Sequence, residues 1–472
     1  MNFILFQPEL FGLFMSGVFL CLSLARPNSK RDFFTALALS AVGIAVCLAG
    51  LRLEGGLFYG AYRVDLFSQV FKTLLFMGLF LVICICSELK GIAERLHSEF
   101  YLLLTVCTLA MMMLVSSVHL LTIYVALELS SYSLYILVFL RKREDYGIDA
   151  GIKYFLIGAT ASAVMLFGFA LLYGATQAAY VGEMLQVLPG LMDRPLVVIG
   201  LFLTLSGFLF KLAVFPFHFW APDVYEGAPN QVTAYIASAS KVGAIAILIR
   251  MVSLTGGNSE FLVHALVALA IITMTVGNLA AIVQKDLKRL LAYSSVAQAG
   301  YILIGILSMS AAGYTGAIFY ALALLLMKFT AFLVVVKVAY DGKNISVDQL
   351  AGLHRRSPLL AMALMLSLFG LAGIPPTIGF TGKLLLFTAA MKQGYFTLVL
   401  IAMINVVISL YYYLLVIKAA YLTAPVGDPP DLEITPPMKL LTGTLVTVMV
   451  VVGIYPTLFL DLAEKAARML VL

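Results

Sequence analysis

Charged residues are scarce in this sequence. Only 11% of the 472 residues are Asp, Glu, Lys or Arg, whereas 62% are hydrophobic. The hydrophobic residues form runs of about 18 to 27 residues, and a helix needs about 20 to cross a bilayer, because lipid cannot satisfy free backbone amides. A soluble globular protein is therefore excluded. The sequence predicts an all-α membrane protein with about fourteen transmembrane helices.

Motifs for metal, nucleotide and covalent chemistry are missing. The five cysteines lie inside apolar runs without CxxC spacing, so an iron–sulfur cluster or zinc site is not expected on this chain. The five histidines show no metal-ligand pattern. Only His218, beside Pro216, is a candidate site residue, and a hydrogen-bonded structural histidine is the alternative. There is no GxGxxG after a strand, no Walker loop, no GxSxG and no HExxH, so nucleotide binding or hydrolysis has no motif behind it.

The basic residues are scattered through short loops. The formal net charge is +6, but no long basic run occurs, so nucleic acid is not an expected partner. Alternate loops carry about 17 and about 7 Lys and Arg residues, and the rich loops include RPNSKRD, RKRED, QKDLKR and LHRRSP. For a multi-pass protein of the bacterial inner membrane, which is the location we expect, the positive-inside rule predicts that both termini are external. The apolar N-terminal run has no cleavage site, which favours a retained span over a signal peptide.

The apolar runs divide the chain without leaving room for a soluble domain. The predicted spans cover 3–24, 33–52, 66–86, 100–117, 119–140, 150–174, 196–219, 231–253, 262–283, 287–307, 313–339, 358–391 with a break, 395–421 and 437–460. We divide them into N-terminal helices (1–99), a first five-helix unit (100–261), a second five-helix unit (262–421) and a C-terminal loop and helix (422–472).

The two five-helix units share sequence. YIL at Tyr135 recurs at Tyr301, and GIKYF at Gly151 corresponds to AIFYA at Ala317 with the same offset. LFKLAVFP, beginning at Leu209, is nearly repeated as LFGLAGIP. Because five is odd, the second unit must enter the membrane from the opposite side, which predicts an inverted-topology repeat.

Each unit contains an interrupted helix. Prolines break the seventh span at Pro216, and Pro375, Pro376 and Gly379 break the twelfth. Carbonyls freed at membrane depth are tolerated only where they face protein or a wet cavity. One such kink would be read as structural, but two at equivalent repeat positions, each near a lysine, indicate function.

Several charged side chains lie deep in apolar spans. They are Glu128, Lys211, Lys241, Lys328 and Lys383. Five such groups would together cost about 12–17 kcal/mol if unpaired, so they must be paired, hydrated or neutral. Lys153 lies nearer a loop and could instead reach the surface.

A row of buried lysines suits proton relay. Burial disfavours the charged amine and a nearby carboxylate favours it, so a pair that opens and closes can release and retake a proton. A purely structural ion pair is the alternative for Glu128, Lys211 and Lys241, and an internally solvated packing lysine is the alternative for Lys328. The tyrosines 411–413 are expected to pack.

The motifs around these residues resemble a known family. FKLAVFPFHFWAPDVYEGAP, QKDLKRLLAYSSVAQAGYILIG, LAGIPPTIGFTGKLLLF and ISLYYYL resemble the antiporter-like membrane subunits of the proton-pumping NADH–quinone oxidoreductase, respiratory complex I. YEGAP and the lone lysine of GFTGK favour the subunit N type over its sister subunits. The resemblance runs from the fourth span to the thirteenth, and loosely beyond.

The resemblance implies a proton path along the middle of the membrane. It places Glu128 on the fifth span, Lys153 on the sixth, Lys211 at the seventh-span break, Lys241 on the eighth span and Lys383 on the twelfth as relay residues. Lys328 departs from the pattern, because subunit N commonly has an uncharged residue there, whereas MKFTAF resembles the sister subunits and cation antiporters.

The resemblance also implies partners. Neighbouring antiporter-like subunits and peripheral subunits are expected, with flavin, iron–sulfur clusters and quinone in those partners and no redox cofactor on this chain. One alternative is a cation/proton antiporter subunit or the equivalent subunit of a membrane-bound hydrogenase. Another alternative is a passive structural subunit that only spaces its neighbours.

Overall fold

The chain is almost entirely helical. A computed structural model describes residues 3–141, 145–253, 260–339, 341–425 and 431–471. The α-helices in these ranges are α1 (Gln7–Ser23), α2 (Ser29–Ala49), α3 (Leu66–Cys84), α4 (His97–Ser116), α5 (Leu120–Phe139), α6 (Asp145–Thr176), α7 (Val181–Val187), α8 (Pro195–Leu212), α9 (Trp220–Gly227), α10 (Asn230–Ala237), α11 (Ala239–Ser253), α12 (Glu260–Ile282), α13 (Leu287–Leu307), α14 (Ala311–Val338), α15 (Leu353–Arg356), α16 (Pro358–Ala372), α17 (Ile378–Lys392), α18 (Phe396–Leu422), α19 (Pro436–Ile454) and α20 (Thr457–Val471). Short 3-10 helices cover Phe3–Phe6, Phe58–Gly60, Glu94–Leu96, Leu188–Leu191 and Val347–Leu350.

The predicted all-α membrane fold is confirmed. Among the described residues, 13 helical segments are long and apolar enough to cross a membrane. The pair α16 and α17, separated by a break, completes the predicted set of about fourteen. The predicted domain boundaries remain predictions.

Some predicted spans differ in detail. The seventh, predicted over 196–219, ends as a regular helix at Leu212, because the chain turns into the left-handed region at Ala213. The eighth is divided at Ser238 into α10 and α11. The last, predicted over 437–460, ends at Ile454 before Pro456, and the further helix α20 was not predicted. Its buried Ala463, Ala466 and Ala467 follow helical spacing, which low overall hydropathy concealed.

A small hairpin was also missed. Strands β1 (Gly55–Leu57) and β2 (Tyr62–Val64) pair antiparallel between α2 and α3. Their apolar residues pack on Leu5, so the hairpin covers the start of α1.

Loops from alternate connections meet at two faces of the bundle. At one, bridges join Tyr62 to Ser117 and His119 to Tyr180; at the other, a bridge joins Asp286 to Ser346. The first face also carries the start of α1 and the end of α20, so both termini lie on the same side. We call it the terminal face. It is the face that the charge distribution predicts to be external.

The centre of the bundle is formed by α10, α11, α13 and α14, which are almost completely buried. In contrast, α2, α6, α12, α18 and α19 leave much of their apolar surface outside. In a membrane such surface can face lipid or other subunits. The central helices carry Lys241, Lys288 and Lys328, half of the buried lysines among the described residues.

The two interrupted helices end in the same way. Ala213 after α8 and Gly373 after α16 both adopt left-handed backbone angles, with φ of 62° and 85°. In each case the following residue, Val214 or Ile374, donates its amide to a carbonyl five residues earlier, as in a Schellman motif. The repeated sequence therefore forms a repeated helix end.

Candidate functional site

Four of the predicted site lysines are buried inside the bundle. The exposed fractions are 2% for Lys211, 6% for Lys241, 1% for Lys328 and 3% for Lys383. Within the described residues, the structure records no ion pair for any of the four, and each amine instead donates to hydroxyls or carbonyls. Neutral hydrogen-bond acceptors leave each amine free to exist with or without its extra proton.

Lys211 faces the neighbouring helix α5. Its amine donates to Ser130 Oγ at 3.0 Å and Ser131 Oγ at 3.1 Å. Glu128, predicted to pair with the lysine row, lies on the same helix and is 8% exposed. Its Oε1 is buried without a hydrogen-bond partner in the described chain. Glu128 interacts electrostatically with Lys211, and the structure records no direct contact between the two among the described residues.

Lys241 caps the first broken helix. Its amine donates to the carbonyl oxygen of Leu212 at 2.6 Å and lies over the Trp220 ring, 5.5 Å from the centroid. The last carbonyls of a helix carry its negative dipole end. Lys241 therefore occupies the position that most favours a cation at this break.

Lys383 caps the second broken helix. Its amine donates to the carbonyls of Leu371 at 2.7 Å and Ala372 at 3.1 Å, and it lies 4.3 Å from the centroid of the Tyr301 ring. This lysine comes from α17, the helix that directly follows its break, whereas Lys241 comes from α11, which follows the break of α8 only after α9 and α10.

Lys328 is joined to Lys383 through side chains. Its amine donates to Ser294 Oγ at 2.8 Å, and Ser294 shares a 2.5 Å hydrogen bond with the hydroxyl of Tyr413. Gln298 then contacts the Tyr413 hydroxyl at 3.5 Å and donates to the Leu371 carbonyl at 2.9 Å. That carbonyl also accepts from Lys383, so the connection is continuous.

A small cavity connects the two halves of the row. Lys241, Lys328 and Gln298 share a cavity of about 10 Å³ with apolar neighbours. A cavity of about 10–15 Å³ holds one water molecule when polar groups line it. Lys241 of the first unit and Lys328 of the second therefore line one cavity with room for about one water.

Lys153 lies outside this row. Its side chain is 45% exposed and pairs with Asp149 at 2.8 Å and Asp223 at 3.0 Å. Arg289 also binds Asp223, at 2.8 Å, and Glu226, at 2.6 Å. The predicted alternative, in which Lys153 reaches the surface, describes this placement better than a buried station.

The charges around Asp223 stabilise its carboxylate. Partial burial alone would raise the pKa of Asp223, but hydrogen bonds from Lys153 and Arg289 outweigh it and hold the pKa below its ordinary value. These residues lie on the face opposite the terminal face. They fasten α6, α9 and α13 together there.

His218 also lies outside the row. It is buried in the break after α8, where its ring packs against Phe215 and Phe219, with centroids 5.6 and 4.3 Å away. Its Nδ1 has no hydrogen-bond partner among the described residues. The bonds Phe215–Pro216 and Pro375–Pro376 are cis.

Gly379 allows the second broken helix to close tightly. A Cβ at this position would collide with the carbonyl oxygen of Gly370, and one at Gly370 would come within 2.5 Å of Met327 Sδ. The start of α17 therefore lies directly against the backbone of α16. This contact places Lys383 beside the carbonyls that it caps.

Sequence reasoning missed the hydroxyl and amide groups that connect the lysines. These residues are Ser130, Ser131, Ser294, Gln298 and Tyr413. These residues could have been recognised from their position within apolar spans, because polar side chains there need hydrogen-bond partners. The sequence YYY alone does not show that Tyr412 and Tyr413 have different hydrogen-bond partners.

Comparison with known proteins identifies related chains. Residues 117–409 match the family model described as NADH:quinone oxidoreductase/Mrp antiporter, TM. NADH-quinone oxidoreductase subunit N 2 of Syntrophobacter fumaroxidans is 63% identical over 471 residues, which cover 100% of both chains.

Solved structures share the fold. A chain of respiratory complex I from Thermus thermophilus superposes with a TM-score of 0.85 at 33% identity, covering 97% of this chain and 99% of that one. A chain of the Mrp complex from a Dietzia species gives a TM-score of 0.90 at 22% identity, covering 100% and 98%. At that identity the second likeness concerns the fold alone.

Proposed function

The chain belongs to the subunit N family of NADH-quinone oxidoreductase, and from this premise we propose that it carries protons across the membrane through its buried lysines. The proton would pass among Lys211, Lys241, Lys328 and Lys383. Quinone reduction in neighbouring subunits would drive their changes of charge. The observation that carries the proposal is the burial of these four lysines among neutral hydrogen-bond acceptors. Lys328 and Lys383 also belong to one hydrogen-bonded network with Ser294, Tyr413 and Gln298.

Electrostatic coupling along the row would give the movement its direction. Lys241 interacts electrostatically with both Lys211 and Lys328. Like charges at short distance in a low dielectric repel strongly, so a proton on one lysine disfavours a proton on the next. A change of charge at one end therefore shifts occupancy stepwise along the row.

The two broken helices would serve as two half-channels of opposite orientation. Lys241 and Lys383, which cap them, would be the stations where protons enter or leave the row. Glu128 would adjust the charge of Lys211 across Ser130 and Ser131. We assign Lys153 and His218 no buried station on the basis of their contacts.

The redox groups would lie in partner subunits. We propose that flavin, iron–sulfur clusters and quinone are bound there, and that this chain carries none of them. We also propose a location in the bacterial inner membrane, which membership of the subunit N family supports. The distribution of Lys and Arg supports an external position for the terminal face.

Replacing Lys241 tests the proposal. Methionine has a similar volume, so Lys241→Met should leave assembly intact. In proteoliposomes, we expect the variant complex to lose proton pumping, with coupled turnover at least about tenfold lower. Lys337→Met, on the same bundle but outside the row, is the control. Normal pumping by an assembled Lys241→Met complex would overturn the proposal.

Cation/proton antiport is the second candidate. The family description, which includes Mrp antiporters, and the buried Lys328 favour it. Sodium-dependent proton exchange by the purified chain in vesicles, without any redox partner, would support this candidate over redox-driven pumping.

A further inference from the structure

A second buried charge cluster lies outside the lysine row, among the N-terminal helices. Glu9 of α1 and Lys72 of α3 are both 0% exposed and form an ion pair of 2.8 Å. Tyr62 of β2 donates its hydroxyl to the same Glu9 oxygen at 2.6 Å. The Lys72 amine lies 5.2 Å from the centroid of the Tyr62 ring. The row proposed above does not use any of these three groups.

The polar groups around this pair are not fully satisfied. Glu9 Oε2, both polar side-chain atoms of Gln69 and Ser116 Oγ are buried, and none has a hydrogen-bond partner in the described chain. Buried polar atoms nearly always find a partner, and internal water is the usual one. A pair that served only to fasten α1 to α3 would have no use for such surroundings.

A large cavity leads to the cluster from the terminal face. Its volume is about 980 Å³, and its lining includes Tyr62, Asp65 and Arg250. Asp65 and Arg250 are themselves buried and paired at 3.2 Å. Asp65, Gln69 and Lys72 follow one stripe of α3, so the stripe runs about 10 Å inward from the cavity floor to the pair.

We propose that the Glu9–Lys72 pair is an additional proton-binding site, filled from the cavity through Tyr62. In this step, a proton passes from cavity water to the Tyr62 oxygen while the Tyr62 hydroxyl proton passes to Glu9. The carboxylate becomes a carboxylic acid, Lys72 keeps its proton, and the charge of the pair changes from zero to +1. Lys72 already supplies the counter-charge of the carboxylate, which disfavours a metal cation.

A cysteine is a further titratable neighbour of the pair. Cys47 on α2 interacts electrostatically with both Glu9 and Lys72. Among the described residues, Cys47 and Tyr62 are, besides Lys72, the titratable groups with a recorded interaction with Glu9, and α4, which also packs on α1 and α3, adds none. A use of this site in translocation rests on the proposed function above, whereas proton binding at Glu9 does not.

Infrared spectroscopy of the assembled complex, without NADH or quinone, tests the binding. We expect the difference spectrum between two pH values to contain a protonated-carboxyl band that Glu9→Gln removes. After a pH jump, the band should rise at least about tenfold more slowly in Tyr62→Phe, which keeps the ring and both charges. Tyr101→Phe is the control, because this buried phenol on the neighbouring helix α4 donates to the Cys86 carbonyl oxygen at 3.5 Å instead.

Two results would overturn the inference. One is a Glu9→Gln spectrum identical to that of the wild type. The other is a Tyr62→Phe band that rises as fast as the wild-type band, and this comparison remains available if Glu9→Gln fails to assemble. The infrared experiment contains no NADH or quinone, so it does not depend on the lysine relay. A failure of that relay would appear only in the pumping assay of Lys241→Met.

Discussion

Lys241 and Lys383 make the same contact at the two interrupted helices. Each amine donates to the carbonyl of the last leucine before a left-handed turn, Leu212 in one case and Leu371 in the other. Lys241 lies on α11 and Lys383 on α17, which are not equivalent positions in the two units. The contact is therefore repeated, but the position of the lysine in the sequence is not. The helix end, with its free carbonyls, determines where the cation lies.

Replacing Lys383 should therefore resemble replacing Lys241. We expect Lys383→Met to assemble, because a residue of similar volume removes a buried amine without leaving a charge unpaired. Coupled quinone reduction should fall at least about tenfold. Matched assays of pumping and turnover in proteoliposomes check this, and an unaltered pumping ratio would remove Lys383 from the path.

The ion pairs of Asp223 with Lys153 and Arg289 predict that the stability of the protein depends on pH. Asp223→Asn removes a charged hydrogen bond from Arg289, worth about 1.5–3 kcal/mol, and one from the half-exposed Lys153, worth less than about 1 kcal/mol. Thermal unfolding of the complex should occur at lower temperature in the variant at neutral pH. Asp149→Asn is the control, since this carboxylate is 63% exposed and a surface pair contributes less than about 1 kcal/mol.

The sign of the pH effect follows from the lowered pKa of Asp223. A carboxylate whose pKa is lower in the folded state contributes fully above its unfolded pKa, about 3.9. That contribution is lost as the pH falls toward the folded value. The difference in unfolding temperature between wild type and Asp223→Asn should therefore shrink in acid. A difference that grows in acid would contradict this account.

Adding a methyl group at Gly379 should separate the second broken helix from its partner. Gly379→Ala would drive a Cβ into the Gly370 carbonyl, and overpacking of this kind costs about 1–3 kcal/mol. Lys383 would also move away from the carbonyls it caps, so both stability and pumping should fall.

Gly443→Ala is the matched control for that substitution. A Cβ there meets no atom within 4 Å, and alanine favours helix over glycine by about 0.8–1.0 kcal/mol. Thermal unfolding and pumping should therefore be unchanged or improved. Equal losses in both variants would show that α17 does not depend on the close contact.

The sequence predicted the fold and the main charges for a clear physical reason. Apolar length reveals spans, and a lysine within a span such as Lys328 is conspicuous because its insertion is costly. The contacts could not be predicted, because they depend on helix rotation. Glu9 and Lys72 escaped notice although both lie in apolar runs, and the half-exposed Lys153 could be placed only once Asp223 was seen beside it.

Tyr412 and Tyr413 provide the sharpest separation of packing from proton transfer. Both rings are 0% exposed on α18, but the Tyr413 hydroxyl joins Ser294, whereas the Tyr412 hydroxyl donates to Asn278 at 3.0 Å. Tyr413→Phe removes one link between Lys328 and Lys383 and keeps the ring. We expect it to slow coupled turnover about tenfold, as loss of a positioned proton donor does, while Tyr412→Phe leaves turnover near the wild-type rate. If the two variants behave alike, the Tyr413 hydroxyl has a packing role and is not a link in the proton path.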